Sequence, residues 1–241
     1  MRTVAIIQAR MGSTRLRAKV LAVVEGATVL AHTVARARAI TGVDEVLVAT
    51  TVGETDDAVV AEAERLGAPW WRGSEDDVLS RYVGAARSSG ADRVVRITSD
   101  CPLLDPVESS KVIAALTDDF DYACNTLERR HPRGLDTEVF TRAALERAAA
   151  AATTQREREH VTLHLYEHPA SFRVLSVRGD VDHSTHRWTV DTAEDLQLVR
   201  EVYARLAPRH GPLFGMAPIL ELLEREPWIA ALNQHIEQKR V

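Results

Sequence analysis

The first 120 residues alternate short apolar, β-branched runs with helical patterns, and this rhythm restricts the possible folds more than any other feature of the chain. The runs cover 4–7, 46–51 and 94–98. Between them, apolar residues recur at helical spacing over about 28–40 (Leu30, Val34, Ala37, Ile40), 55–66 (Val59, Ala63, Leu66) and 76–88 (Val78, Leu79, Tyr82, Ala86). Gly42, Gly67 and Gly90 fall at or just past the helix ends, as C-caps do. Asp56, Asp57, Asp76 and Asp77 fall in first turns, where they complement the helix dipole. Such alternation with short connections predicts an α/β fold built on a doubly wound, mostly parallel sheet. The run 69–71 predicts one more short strand.

From about 121 the rhythm changes. Runs at 121–124 and 135–140 predict strands around a polar loop at 125–134. Helices are predicted over 141–151 and 156–167, an alternating strand over 172–177, and a last short strand over 186–190. A helix over 192–206 turns Leu196 and Val199 inward, and two more helices near 215–224 and 228–238 close the chain. We therefore expect one domain over 1–241. A small lobe for an acceptor or a dimer contact is inserted at about 121–180, and C-terminal helices span about 193–238.

Bulk properties exclude several classes. The formal charge of −5 argues against a nucleic-acid-binding face. Cys101 and Cys124 are isolated, which gives neither a disulfide framework nor a zinc site and predicts a reducing, cytoplasmic setting. Residues 4–7 are too short for a secretory signal, and no apolar run approaches the roughly 18 residues of a membrane span.

Against that acidic background, the stretch from Arg10 to Lys19 carries Arg10, Arg15, Arg17 and Lys19 and no acid; the first acidic residue of the chain is Glu25. It directly follows the first apolar run. A buried strand feeding a cationic loop with Gly12 and Ser13 suits phosphate, because glycine lets the backbone approach and the cations neutralise charge. The chain contains 30 basic residues, yet its only lysines are Lys19, Lys111 and Lys239. A compact ammonium in this loop acts as a point charge against a phosphate. The pattern G-x-x-x-x-G-K-[ST] is absent.

Two further constellations end strands: Arg96-Ile97-Thr98-Ser99-Asp100-Cys101-Pro102-Leu103 and Trp188-Thr189-Val190-Asp191-Thr192-Ala193-Glu194-Asp195. Ligands of parallel sheets bind beyond the carboxyl ends of strands. Asp100 and Asp191 on neighbouring ends would hold one Mg2+ against substrate phosphates. The rival reading is a turn residue for Asp100 and a helix-start acid for Asp191; for Asp195 the helix-start reading is preferred. A polar cluster at 133–138 (Arg133, Asp136, Glu138) and another at 156–160 (Arg156, Glu159, His160) stand between a pocket and a solvent face. His160, His164 and His168 recur every four residues, but H-E-x-x-H is absent and no metal is assigned to them.

Taken in order, the motifs at 6–15 with Lys19, at 100–103 and at 190–196 resemble the cytidylyltransferases that activate acidic sugars, the CMP-3-deoxy-manno-octulosonate and CMP-sialate synthetases. The branch of spore coat polysaccharide biosynthesis protein F is most similar. It adds Arg72-Gly73-Ser74 with Asp77-Val78-Leu79 and Arg81, Arg133-Gly134-Leu135-Asp136-Thr137-Glu138, and Arg158-Glu159-His160-Val161. The resemblance implies a Rossmann-like nucleotide-diphospho-sugar transferase fold, CTP as donor, Mg2+ as cofactor, pyrophosphate as product and a homodimer. It places the nucleotide against Ala9, Arg10, Met11, Gly12, Ser13, Arg15, Lys19, Arg72, Gly73, Ser74, Asp77 and Thr98. Asp100 and Asp191 hold the metal, Arg10 and Lys19 stabilise the leaving group, and an anionic acceptor lies against Arg133, Asp136, Glu138, Glu159 and His160, with His160 as a base. Gln8 stands where octulosonate synthetases have proline, and Thr98-Ser99-Asp100-Cys101 replaces their Gln-Gly-Asp-Glu, so a phosphonate acceptor is an alternative. A GT-A-like glycosyltransferase and a silent nucleotide-binding module are the other readings; the cationic loop argues against the first, and Asp100, Asp191 and Lys19 argue against the second.

Overall fold

Val4, Ala5, Ile6 and Ile7 have no exposed surface, because their strand is covered on both faces. Val4 and Ile6 join one apolar layer and Ala5 and Ile7 the other, following the period of two along a strand. The computed structural model describes residues 1–13 and 15–237. Its first half runs β1 (Thr3–Gln8), a hairpin of β2 (Val23–Val24) and β3 (Ala27–Thr28), α1 (Val29–Arg38), β4 (Glu45–Thr51), α2 (Asp57–Arg65), β5 (Trp70–Gly73), α3 (Val78–Ser88), β6 (Arg93–Thr98) and α4 (Pro106–Ala115). The second half continues with β7 (Tyr122–Cys124), β8 (Glu138–Thr141), α5 (Arg142–Ala151), α6 (Gln155–Glu159), α7 (Leu163–Glu167), β9 (Val174–Ser176), α8 (Ala193–His210), α9 (Met216–Arg225) and α10 (Pro227–Ala231).

Among the described residues, seven strands form one sheet in the order β5-β4-β1-β6-β8-β7-β9. β5, β4, β1 and β6 are parallel, as the alternation predicts; β8 runs antiparallel to both β6 and β7. The stretch 121–180 supplies β7, β8 and β9 and thereby extends this sheet. α1 lies on one face and α3 and α5 on the other. A third apolar cluster packs α8, α9 and α10 around Trp188, Val190 and Leu103. No described helix is long and apolar enough to cross a membrane.

Three local readings change. The predicted strand 186–190 is a single parallel bridge between Arg133 and Arg187. Gly134 causes this: at φ +103 a Cβ there would lie 2.6 Å from the Trp188 carbonyl carbon, so two loops, rather than two strands, run against each other. The predicted helix 156–167 breaks into α6 and α7, because His160 leaves helical geometry at φ −104, ψ 55. α4 escaped the sequence reading, although Asp105 caps it by accepting from the Val107 and Glu108 amides and Pro106 opens its first turn. In the predicted helix 228–238 only α10 is helical, and residue 238 lies outside the described residues.

Candidate functional site

The cationic loop leaves the carboxyl end of β1, between the ends of β4 and β6. Its start is pinned: the Ala9 amide donates to the Ala49 carbonyl at 3.0 Å, and the Met11 amide donates to Asp56 Oδ1 at 2.6 Å. Met11 packs its side chain against the core. Asp56 is buried and also accepts from the Thr51 hydroxyl, so it anchors the loop rather than merely facing a helix dipole. Thr14 lies outside the described residues. Ala18, immediately before Lys19, takes left-handed geometry at φ 53, ψ 25. A strained non-glycine residue there directs the chain into the short 3-10 turn that carries Lys19.

Lys19 joins the distant motifs. Its Nζ lies 2.7 Å from Asp100 Oδ2 and 2.7 Å from Asp191 Oδ1. Burial opposes the ammonium charge, but the two carboxylates outweigh it and raise the Lys19 pKa. Asp191 also pairs through Oδ2 with Arg15 at 2.9 Å and with Arg187 at 2.7 Å. Burial opposes its charge too; Lys19, Arg187 and Arg15 prevail and hold its pKa below the ordinary aspartate value. The two aspartates are brought together without a strand after residue 186. The Val190 amide and the Thr189 hydroxyl both donate to the Asp100 carbonyl, at 2.8 and 3.2 Å. Behind them Arg187 binds fully buried Asp195 at 2.9 Å. Asp195 accepts from the Asp191 and Thr192 amides and completes a capping box on α8, the helix-start role that its position predicts.

This cluster lies against a cavity of about 480 Å³. Ala9, Arg10, Gly12, Ser13, Arg15 and Lys19 line one side, Thr98, Asp100 and Asp191 the floor, and Glu159 and His160 another wall. Sequence reasoning missed Arg81 and Arg96, which also line it. Arg96 pairs with buried Glu138, its cross-strand partner on β8; burial opposes its charge and Glu138 sustains it. The signal was present as one charge in each of two buried strands. Arg81 is 3% exposed; its Nη1 donates to the Ser74 carbonyl at 2.7 Å while Nε has no partner, and burial lowers its pKa. Burial, ahead of the opposing Glu159 charge, also lowers the His160 pKa and so favours the uncharged ring.

Other predicted site residues stand off the cavity. Arg72 binds Asp57 and the Thr51 and Gly53 carbonyls. Gly73 makes room for Arg81, whose Cβ lies 2.9 Å from where a Cβ of residue 73 would be. Ser74 accepts from the Asp77 amide, and Asp77 caps α3. Their neighbours Glu75 and Asp76 line the cavity instead, and Glu75 pairs with Arg10 at 2.9 Å. Asp136 is held by both Nη atoms of Arg129, Glu138 divides its oxygens between Arg96 and the Tyr122 hydroxyl, and Arg133 lines no part of the cavity.

The arrangement combines cations for anionic oxygens with two carboxylates that converge on one point charge. A sequence profile described as cytidylyltransferase matches residues 4–240. The chain is 33% identical over 232 residues to spore coat polysaccharide biosynthesis protein SpsF of Bacillus subtilis, covering 92% of this chain and 94% of that protein. It is 34% identical over 244 residues to an uncharacterized protein of Methanocaldococcus jannaschii, covering 99% and 97%. A solved cytidylyltransferase from Leptospira borgpetersenii superimposes with a TM-score of 0.90 at 28% identity, over 100% of both chains. The match spans nearly the whole chain, and this chain is a member of the cytidylyltransferase family.

Proposed function

We propose that the chain transfers CMP from CTP to an acidic sugar or a related anionic acceptor and releases pyrophosphate. One observation carries this reading: Asp100 and Asp191 converge on Lys19 Nζ at the floor of a cavity edged by the 10–19 loop. Such transfer needs positioning and charge neutralisation more than a covalent nucleophile. An acceptor oxygen attacks the α-phosphorus in line, and the β- and γ-phosphates depart. Arg10, Arg15 and Lys19 neutralise the triphosphate, with Ala9, Gly12 and Ser13 presenting the backbone and Thr98 at the strand end. Arg81 supplies a buried donor beside 74–76 on the nucleotide side.

The donor set suits Mg2+. Two carboxylate oxygens already meet one cation at 2.7 Å each, and both aspartates lie at the cavity floor. When bound there, the ion would supply charge neutralisation at the reacting phosphate. His160, beside Glu159 and with its pKa lowered by burial, would accept the acceptor proton. Arg96, rather than Arg133, presents a cation on that wall, and Glu138 and Asp136 act behind it by fixing Arg96 and Arg129. We read the stretch 121–180 as the acceptor-side lobe and the chain as a cytoplasmic homodimer; the free, buried Cys101 and Cys124 suit a reducing compartment.

The test is pyrophosphate release from each of four nucleoside triphosphates against panels of sugar acids and phosphonates, with and without Mg2+. Release that requires CTP, Mg2+ and a sugar acid is expected. A phosphonate-only response would reassign the acceptor, and CTP binding without release across both panels would sink the enzymatic reading. Light scattering of the purified chain checks the dimer.

A further inference from the structure

The three-histidine face splits in the fold. His160 lines the nucleotide cavity, whereas His164 and His168 stack on each other at 3.9 Å between ring centroids and 24° between planes. Glu157 joins them: one ligand-type atom of each of the three lies within 4.8 Å of the others. The hydrogen bonds orient both rings alike. His164 Nδ1 meets Glu157 Oε1 at 2.5 Å, and His168 Nδ1 meets the His164 carbonyl at 3.0 Å. Both partners are acceptors, so each Nδ1 is the donor and each Nε2 is turned away from these bonds. Neither Nε2 makes a hydrogen bond with the described residues.

We propose that His164 and His168 form a binding site for a borderline divalent cation such as Zn2+ or Cu2+, through their Nε2 atoms, with Glu157 holding His164 in register. Metal-binding imidazoles characteristically donate the opposite N–H to a carboxylate or a backbone carbonyl, which are the two partners present here. Two imidazole nitrogens select Zn2+ or Cu2+ over Mg2+, which demands oxygen ligands. Zn–N bonds of about 2.0–2.1 Å require two nitrogens about 3 Å apart. A ligand-type atom of each ring already lies within 4.8 Å of the other, and exposed His168 has room to tilt out of the stack toward buried His164. The site is separate from the aspartate pair and rests on none of the nucleotide chemistry. Because α6 and α7 flank His160, an ion there ties down the turn that carries Glu159 and His160 into the cavity.

The experiment is a Zn2+ titration by calorimetry in excess Mg2+, repeated on His168→Ala and on Asp191→Asn. One saturable site per chain is expected, weakened at least tenfold in His168→Ala and retained in Asp191→Asn. The melting temperature should rise with Zn2+ in the unaltered protein and not in His168→Ala. Cu2+ electron paramagnetic resonance should show two imidazole nitrogens, falling to one in the variant. Absence of saturable binding, equal affinity in His168→Ala, or loss of the site in Asp191→Asn would each overturn the proposal. His168 is exposed, so its replacement leaves the core intact.

Discussion

Two buried arginines, on opposite faces of the sheet, meet opposite fates. Arg36 on α1 is fully buried and donates to the Tyr203 hydroxyl and to the carbonyls of Leu104, Phe214 and Pro212, all at 2.8–2.9 Å. Its guanidinium also sits 4.6 Å from the Phe214 ring centroid. It ties the segment after α8 to the core. Arg81 on α3 is almost as buried, yet its Nε is unpartnered and it faces the cavity. An unpaired buried donor costs on the order of 1–3 kcal/mol. A charge with every nitrogen partnered serves the architecture; one left short at a cavity wall is free to meet a ligand. The same contrast separates Asp195, saturated behind the site, from Asp191 at the cavity floor.

This comparison can be broken most directly at Asp191. Asp191→Asn should lower kcat by about 10³-fold, because charge neutralisation at the reacting phosphate is lost. Its melting temperature should fall by only a few degrees, as Arg187 retains Asp195. A large loss of stability with turnover preserved would make Asp191 architectural. Arg36→Met is the mirror case: three carbonyls and a phenol lose their donor, at about 3–5 kcal/mol, while the KM for CTP stays put. Denaturant unfolding paired with initial rates separates the two outcomes.

Smaller effects sharpen the contrast. Burial lowers the His160 pKa, so in the proposed mechanism protonation removes the base and the rate should fall as pH drops through that lowered value. Asp191, whose folded pKa is depressed below 3.8, keeps its charge and its stabilising contribution throughout that range and loses them only in stronger acid. The proposed mechanism therefore assigns the limb to His160 rather than to Asp191. His160→Gln should flatten it and lower the plateau by about 10²-fold, and an unchanged pH–rate profile would remove His160 from the reaction. The smallest effect is expected for Arg81→Met, with a roughly tenfold rise in the KM for CTP and a melting temperature unchanged or slightly raised. A marked drop in stability would place Arg81 with Arg36 instead.

Much of this was legible in the chain. The central parallel strands and the cationic loop with Lys19 follow from period, punctuation and charge; Asp100 and Asp191 follow as strand-end candidates that the family resemblance favoured over turn and helix-start roles. Arg81 and Arg96 were not assigned to the site, because an arginine inside a helix or strand pattern shows neither its depth nor its partner. Arg96 acquires its meaning from Glu138, which lies 42 residues away in sequence and opposite it across the β6–β8 register. Asp136 read as an acceptor ligand because nothing local reveals that Arg129 already holds it.

Local patterning by itself determined which segments become strands and helices, and it gathered cations without acids between Arg10 and Lys19. That is so because hydrophobic period and backbone preference act over a few residues. Only the folded chain decided that Asp100 and Asp191 meet at one ammonium, through the bonds of 189 and 190 to the Asp100 carbonyl and the close approach allowed by Gly134. Those contacts join positions up to 172 residues apart. Their energy depends on burial and on distances that sheet order and loop packing set, and no short window of sequence contains them.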